Sequence, residues 1–142
     1  MRLLDVNVLL ASVLEAHEHH ATVARWMERK SKTQIATCAL TETSLLRLLM
    51  NPVINEDPVD AETGLALLER LHQHPRHRFL KEGPSPRTPG AAKFLKQIRG
   101  YRQITDAWLV SLAAANGGKL ATLDRKLEAV FGKDFVDVIQ TK

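Results

Sequence analysis

Leu3-Leu4-Asp5-Val6-Asn7-Val8-Leu9-Leu10 is the stretch on which the fold turns. A short apolar run is closed by a carboxylate, and apolar residues at helical spacing follow. Residues 2–5 therefore predict a buried strand leading into a helical turn that reaches about Leu14. The pattern recurs far downstream in Lys119-Leu120-Ala121-Thr122-Leu123-Asp124, a strand over 120–123 closed by a second acid. Strands this short and this continuously apolar are covered on both faces, as in parallel sheets.

Helices and strands alternate between these two landmarks. Residues 17–31 have helical spacing, with Ala21, Ala24 and Met27 on one stripe beside Val23 and Trp26, and residues 33–37 form a second strand. A helix from near Thr41 stops at Asn51, because the residue before Pro52 resists the α region. A loop follows over 52–59, then a helix from Ala61 to about His74 capped by Asp60, and a strand over 78–80. Residues 82–90, rich in Gly and Pro, are loop. A basic helix over 91–99 breaks at Gly100. A helix over 105–116, apolar nearly all round, stops at Asn116-Gly117-Gly118. A short helix over 125–130 and a strand over 135–139 complete the series. Such alternation predicts an α/β chain, a three-layer α/β/α sandwich with a mainly parallel central sheet, as a single domain over 1–142.

Apolar content of 44% and charged content of 25% place the chain among ordinary soluble globular proteins. The lone cysteine, Cys38, excludes an intramolecular disulfide and a thiolate zinc site, and its apolar neighbours make it a small buried hydrophobe. Asp5 interrupts the N-terminal apolar run too early for a secretory segment, and no apolar run approaches the roughly 18 residues of a membrane span. A cytoplasmic protein without membrane contact is expected. The net charge is +4, but residues 76–126 hold eleven Lys/Arg against three acids, a local charge of +8. A basic half beside acids implies a polyanion held near them.

Four acids stand at the rims of buried elements: Asp5, Glu42, Asp106 and Asp124. In a parallel sheet the strand C-termini share one edge, and the following helices start there. Asp5 and Asp124 end strands, whereas Glu42 and Asp106 begin helices. Glu42 shares a helical face with Leu45, Leu46 and Leu49, and Asp106 shares one with Leu109, Val110, Ala113 and Ala114, so both point along core-facing stripes. Helix capping accounts for Glu42 or Asp106 singly, but not for all four. A hard divalent cation, Mg2+ or Mn2+, is the ordinary compensation for clustered carboxylates.

Taken in order, Leu-Leu-Asp5-Val-Asn7-Val-Leu-Leu, Thr41-Glu42 with Arg47 and Asn51-Pro52, Ile-Thr105-Asp106-Ala-Trp-Leu-Val-Ser-Leu-Ala, and Leu-Ala-Thr122-Leu-Asp124 resemble the motifs of PIN-domain ribonucleases. Their order and the chain length resemble the VapC toxins of bacterial toxin–antitoxin pairs over essentially the whole chain. The resemblance implies a metal-dependent endoribonuclease with Asp5, Glu42, Asp106 and Asp124 as metal-binding catalytic acids and Asn7 and Thr122 as supporting polar groups. It also implies an RNA substrate and a cognate VapB-like antitoxin. Lys93, Lys96, Arg99 and Arg102, in the basic half, are expected to hold RNA. The antitoxin is expected to lie against the early helices around Trp26 and residues 40–51, on exposed apolar surface that would also support a homodimer.

A haloacid-dehalogenase-like phosphatase also begins with an acid after its first strand, but it needs a second aspartate two residues on, where this chain has Asn7. A non-catalytic nucleic-acid- or partner-binding domain leaves four inward acids unexplained. A housekeeping RNA-processing PIN nuclease shares the chemistry without the antitoxin. The histidines His17, His19, His20, His72, His74 and His77 are read as structural or incidental, and Trp26 and Trp108 as packing residues. Arg47 is left between a phosphate contact and an exposed helical position.

Overall fold

The computed structural model describes residues 1–141. Five strands, β1 (Arg2–Leu4), β2 (Ile35–Cys38), β3 (His77–Leu80), β4 (Lys119–Thr122) and β5 (Val136–Val138), form one parallel sheet in the order β3-β2-β1-β4-β5. The helices are α1 (Val6–Val13), α2 (His20–Arg29), α3 (Ala39–Met50), α4 (Ala61–His72), α5 (Pro89–Leu95), α6 (Ile104–Ala115) and α7 (Lys126–Phe131). Side chains alternate across the strands, so Leu3 and Leu120 face one core while Leu4 and Ala121 face the other. The first core is closed by α5, α6 and α7 through Phe94, Leu109, Leu112, Leu127 and Phe131. The second is closed by α1–α4 through Val8, Leu9, Val23, Trp26, Leu45, Leu49 and Leu68. This is the three-layer α/β/α sandwich expected.

The chain fills one side of the sheet first, through β2 and β3, and then crosses to β4 on the other side of β1. The reversal falls between β1 and β4, paired Arg2↔Lys119, Leu3↔Leu120 and Leu4↔Ala121. Beyond the strand ends at such a reversal an open crevice forms.

Several boundaries differ from the sequence expectation, each for a local reason. Asp5 leaves the strand and caps α1, its Oδ1 accepting from the Val6 amide at 2.7 Å. The helix expected from residue 17 starts at His20, because the His17 ring accepts the His19 amide at 3.0 Å in a preceding turn. α5 stops at Leu95 instead of Arg99, and the Gln103 side chain accepts the Arg99 amide at 2.8 Å. A 3-10 turn, Tyr101–Gln103, then leads into α6. Trp26 is only 4% exposed and belongs to the core; the exposed large apolar side chains near α3 and α4 are Leu40, Met50, Val53, Ile54 and Leu65. Among the described residues no helix is long and apolar enough to cross a membrane.

The loop after β3 is pinned to α6. The Trp108 indole nitrogen donates to the Pro84 carbonyl at 2.7 Å, with the ring lying flush against Gly83. A Cβ at Gly83 would meet Trp108 Cζ2 at 2.4 Å. Gly83→Ala is therefore expected to destabilise the fold by about 1–3 kcal/mol. It should read as a lower denaturant midpoint at unchanged slope.

Candidate functional site

Asp5, Asp106 and Asp124 meet at the β1/β4 crevice. Asp5 is 5% exposed, between β1 and α1. Its Oδ2 accepts from the Thr122 hydroxyl at 2.7 Å, while Oδ1 takes the Val6 amide. Thr122 Oγ1 in turn accepts from the Asp124 amide at 3.1 Å and from Asn7 Nδ2 at 3.3 Å, and Asn7 Oδ1 accepts from the Leu123 amide at 3.2 Å. Asn7 and Thr122 thus fasten the end of β4 to the start of α1. Asp124 caps the next turn, accepting the Lys126 amide at 2.9 Å. Asp106 projects from the first turn of α6.

The electrostatics register this convergence. Burial raises the Asp5 carboxyl, against hydrogen bonds from Thr122 and Val6 that lower it, and Asp124 raises it further. Asp106 is pushed up to about 6, first by burial and then by the charges of Asp5 and Asp124. Asp5 and Asp106, both disfavoured as carboxylates, stand with Asp124 as an all-oxygen donor set that a hard divalent cation satisfies.

Glu42 is engaged elsewhere. On the β2 side, its Oε1 accepts from the Thr37 hydroxyl at 2.6 Å and from His72 Nε2 at 2.5 Å. Thr37 also bonds His77 Nε2 at 2.7 Å, and burial, with His72 beside it, lowers the His77 imidazole. The structure therefore brings three of the four acids together and holds the fourth on His72 and Thr37, with His77 bonded to Thr37 behind them.

A cleft of about 430 Å³ lined by Arg99, Tyr101, Arg102 and Lys126 opens directly onto Asp106 and Asp124. Lys93 is directed away, its ammonium over the rings of Phe94 and Phe135 at 4.8 and 5.3 Å, and Lys96 is exposed on the chain leaving α5. Tyr101, which no sequence motif singles out, is 79% exposed at the cleft mouth with the Arg102 guanidinium 5.8 Å from its ring centre. Its one signal in the sequence is an isolated tyrosine among Arg99, Arg102 and Asp106. Trp108 packs on the Gly83 loop and lies outside the cleft lining. His20 bonds the Ala11 carbonyl at 2.7 Å, a structural role.

A PIN domain matches residues 2–133, and Ribonuclease VapC38 of Mycobacterium tuberculosis is 36% identical over 87% of this chain and 85% of its own length. The chain belongs to the PIN-domain family, among the VapC ribonucleases. Ribonuclease VapC29 of the same organism is 35% identical over 92% of this PIN domain's chain and 90% of its own, and VapC39 is 31% identical over 96% and 98%. Solved assemblies have the same fold. VapBC2 from Rickettsia felis bound to a promoter DNA fragment superposes with a TM-score of 0.63 at 15% identity, covering 98% of both chains. FitAcB from Neisseria gonorrhoeae gives 0.62 at 21%, covering 99% of this chain and 97% of that one. In this PIN domain the motif aspartates occupy the strand-end crevice and the motif polar residues Asn7 and Thr122 knit it together.

Proposed function

We propose that this chain is the toxin of a toxin–antitoxin pair, an endoribonuclease that cuts RNA in the cleft above β1 and β4. Its required cation, Mg2+ or Mn2+, would be held by Asp5, Asp106 and Asp124. The reading is carried by one observation: Asp106 and Asp124 line a cleft with Arg99, Arg102 and Lys126, and the buried Asp5 lies close enough for its charge to act on Asp106. An all-oxygen donor set matches a hard ion better than a borderline one. Glu42 keeps its place in the motif-derived acidic set, but with His72 and Thr37 on its carboxylate it is assigned no step.

When bound, the cation neutralises charge on the phosphoryl oxygens and lowers the pKa of an attacking water. The chain's own groups do the rest. Thr122 and the Val6 amide hold both Asp5 oxygens, so that carboxylate cannot swing away from the crevice. Asp106, pushed up to about 6 in the metal-free chain, must give up its proton to hold the cation. Arg99, Arg102 and Lys126 hold backbone phosphates, the exposed Lys96 lies further out, and Lys93, over the Phe94 and Phe135 rings, is given no phosphate. Tyr101 offers a ring face to a base of single-stranded RNA. The partner assigned is a VapB-like antitoxin, with a homodimer as the working assembly and the cytoplasm as the compartment.

The test is incubation with total RNA and Mg2+ or Mn2+, with and without chelator, beside expression of the chain alone and with the product of a neighbouring small gene. Metal-dependent cutting and Asp5-dependent growth arrest relieved by a co-purifying neighbour would support the reading. Cleavage indifferent to chelator would overturn the metal assignment, and harmless expression of an active enzyme would favour RNA processing instead.

The basic cleft makes its own prediction. In an inactive Asp5→Asn background, Arg99→Glu with Arg102→Glu should weaken RNA binding and reduce the salt slope by ~0.7 for each phosphate no longer neutralised. Tyr101→Ala should cost about 1–3 kcal/mol of affinity while leaving that slope unchanged. Fluorescence anisotropy at several salt concentrations separates the two effects.

A further inference from the structure

We propose that Glu42, His72 and His77 form a second metal site, for a borderline divalent transition ion of the Zn2+ type, separate from the carboxylate cleft. Glu42 lies in the first turn of α3, His72 is the last residue of α4 and His77 the first of β3. One ligand atom from each lies within 4.8 Å of the others, the one such His/Cys/Asp/Glu group among the described residues. Metal-bound ligand atoms sit about 2.0–2.2 Å from zinc, so small side-chain rotations bring these three onto one ion.

The hydrogen bonds give the direction in which the rings face. Thr37 Oγ1 has a single proton, and it is directed to Glu42 Oε1, which as a carboxylate oxygen only accepts. Thr37 must therefore accept from His77, which places a proton on His77 Nε2. His72 Nε2 donates to the same Glu42 oxygen. Both imidazoles thus aim Nε2 at one spot beside one carboxylate. Moving each ring proton from Nε2 to Nδ1, a change of tautomer without change of charge, turns two donors into two nitrogen lone pairs. The ring centres are 4.4 Å apart with a 36° tilt, which lets both nitrogens converge.

The site is also rigid before any ion arrives. His72 and His77 flank a tight corner whose Arg76 guanidinium donates to the carbonyls of Met27, Lys30 and Thr33 at 2.8–3.1 Å. Thr37, fully buried on β2, orients the Glu42 carboxylate by its hydrogen bond. α3 and α4 approach so closely that a Cβ at Gly64 would meet Leu46 at 2.7 Å.

Two imidazoles and one carboxylate select Zn2+, Co2+ or Ni2+ over Mg2+, which prefers oxygen and keeps its waters. Three protein ligands with His72 partly exposed leave a fourth position for water. The chain then carries two cation sites of opposite preference, and an ion at the histidine site holds Glu42 on the β2–β3 side of the sheet.

The test is calorimetric titration of the metal-free full chain with Zn2+, and Co2+ titration read by visible absorption, both in excess Mg2+ to satisfy the carboxylate cleft. Expected is one equivalent of Zn2+ or Co2+, retained in Asp5→Asn and lost in His72→Gln with His77→Gln. Thr37→Val should weaken binding by about 10–100-fold. In histidine nitrogen NMR of the wild-type protein, two ring protons should move from Nε2 to Nδ1 as Zn2+ is added, a readout independent of whether the double variant folds. Absence of binding, binding kept by the folded double variant, loss in Asp5→Asn, loss in His17→Gln with His19→Gln, or unmoved His72 and His77 signals would each overturn the proposal.

Discussion

Asp5→Asn is expected to reduce RNA cleavage by about 10²–10³-fold or more, the scale of removing a key charge-stabilising group from an active site, while leaving the fold intact. Asparagine is nearly isosteric, can accept the Val6 amide through its oxygen and can donate to Thr122 through its nitrogen, so the junction of β1, α1 and β4 survives. Burial disfavours the Asp5 carboxylate, so its replacement should keep or raise the melting temperature of the metal-free protein. The signature is inactivity without instability, together with loss of the melting shift that Mn2+ gives the wild type. An active Asp5→Asn enzyme, or an inactive one that is unfolded, would remove the case for Asp5 as a cation-holding acid.

The second large effect is a pH dependence centred on Asp106. Its folded carboxyl titrates at about 6, well above the ordinary aspartate range. A raised carboxyl favours the protonated folded state, so its contribution to stability is complete below the unfolded pKa and is lost as pH rises through 6. In chelator, the melting temperature of Asp106→Asn minus that of wild type should therefore grow between about pH 4 and pH 7. Activity runs the opposite way, because the cleft needs the charged form. At one unit below that pKa only about a tenth of the carboxyl is ionised, so cleavage at pH 5 should fall roughly tenfold at limiting Mn2+ and recover as Mn2+ is raised. A flat difference in melting temperature across this range would show that neither burial nor the charges of Asp5 and Asp124 raise the Asp106 carboxyl.

The strand-end aspartates are legible in the sequence because each closes an apolar run, and a parallel sheet forces its strand ends onto one edge. Asp106 is legible from its stripe with Leu109, Val110 and Ala113, which are buried. Glu42 has the same kind of stripe, with Leu45 and Leu49 fully buried, so periodicity gives its face correctly. It gives no sign of the partner waiting there. His72 and His77 reach Glu42 only through the pairing of β3 with β2 and the corner between them, and long-range register is not written in any local pattern. Each histidine taken singly is a common surface residue and carries no signal of its own. Tyr101 escapes a sequence reading because a 3-10 turn has no hydrophobic period to announce it. The basic segment is visible as composition, but composition does not tell Arg99 and Arg102 at the cleft from Lys93, whose charge is engaged by two phenylalanine rings.

The placement of β1 between β2 and β4 has a consequence for the order of events during synthesis. β1 can pair with β2 as soon as residue 38 has emerged, yet its other edge waits for β4. Asp5 and Asp124 are 119 positions apart, and at ~5–20 residues per second the wait is on the order of ten seconds. Once residue 72 has emerged, every helix of the α1–α4 layer has been made, while Asp106 and Asp124 are still to come. The nascent chain is recognisable before it is dangerous, which gives any partner that reads the early helices a head start over the enzyme's first cut.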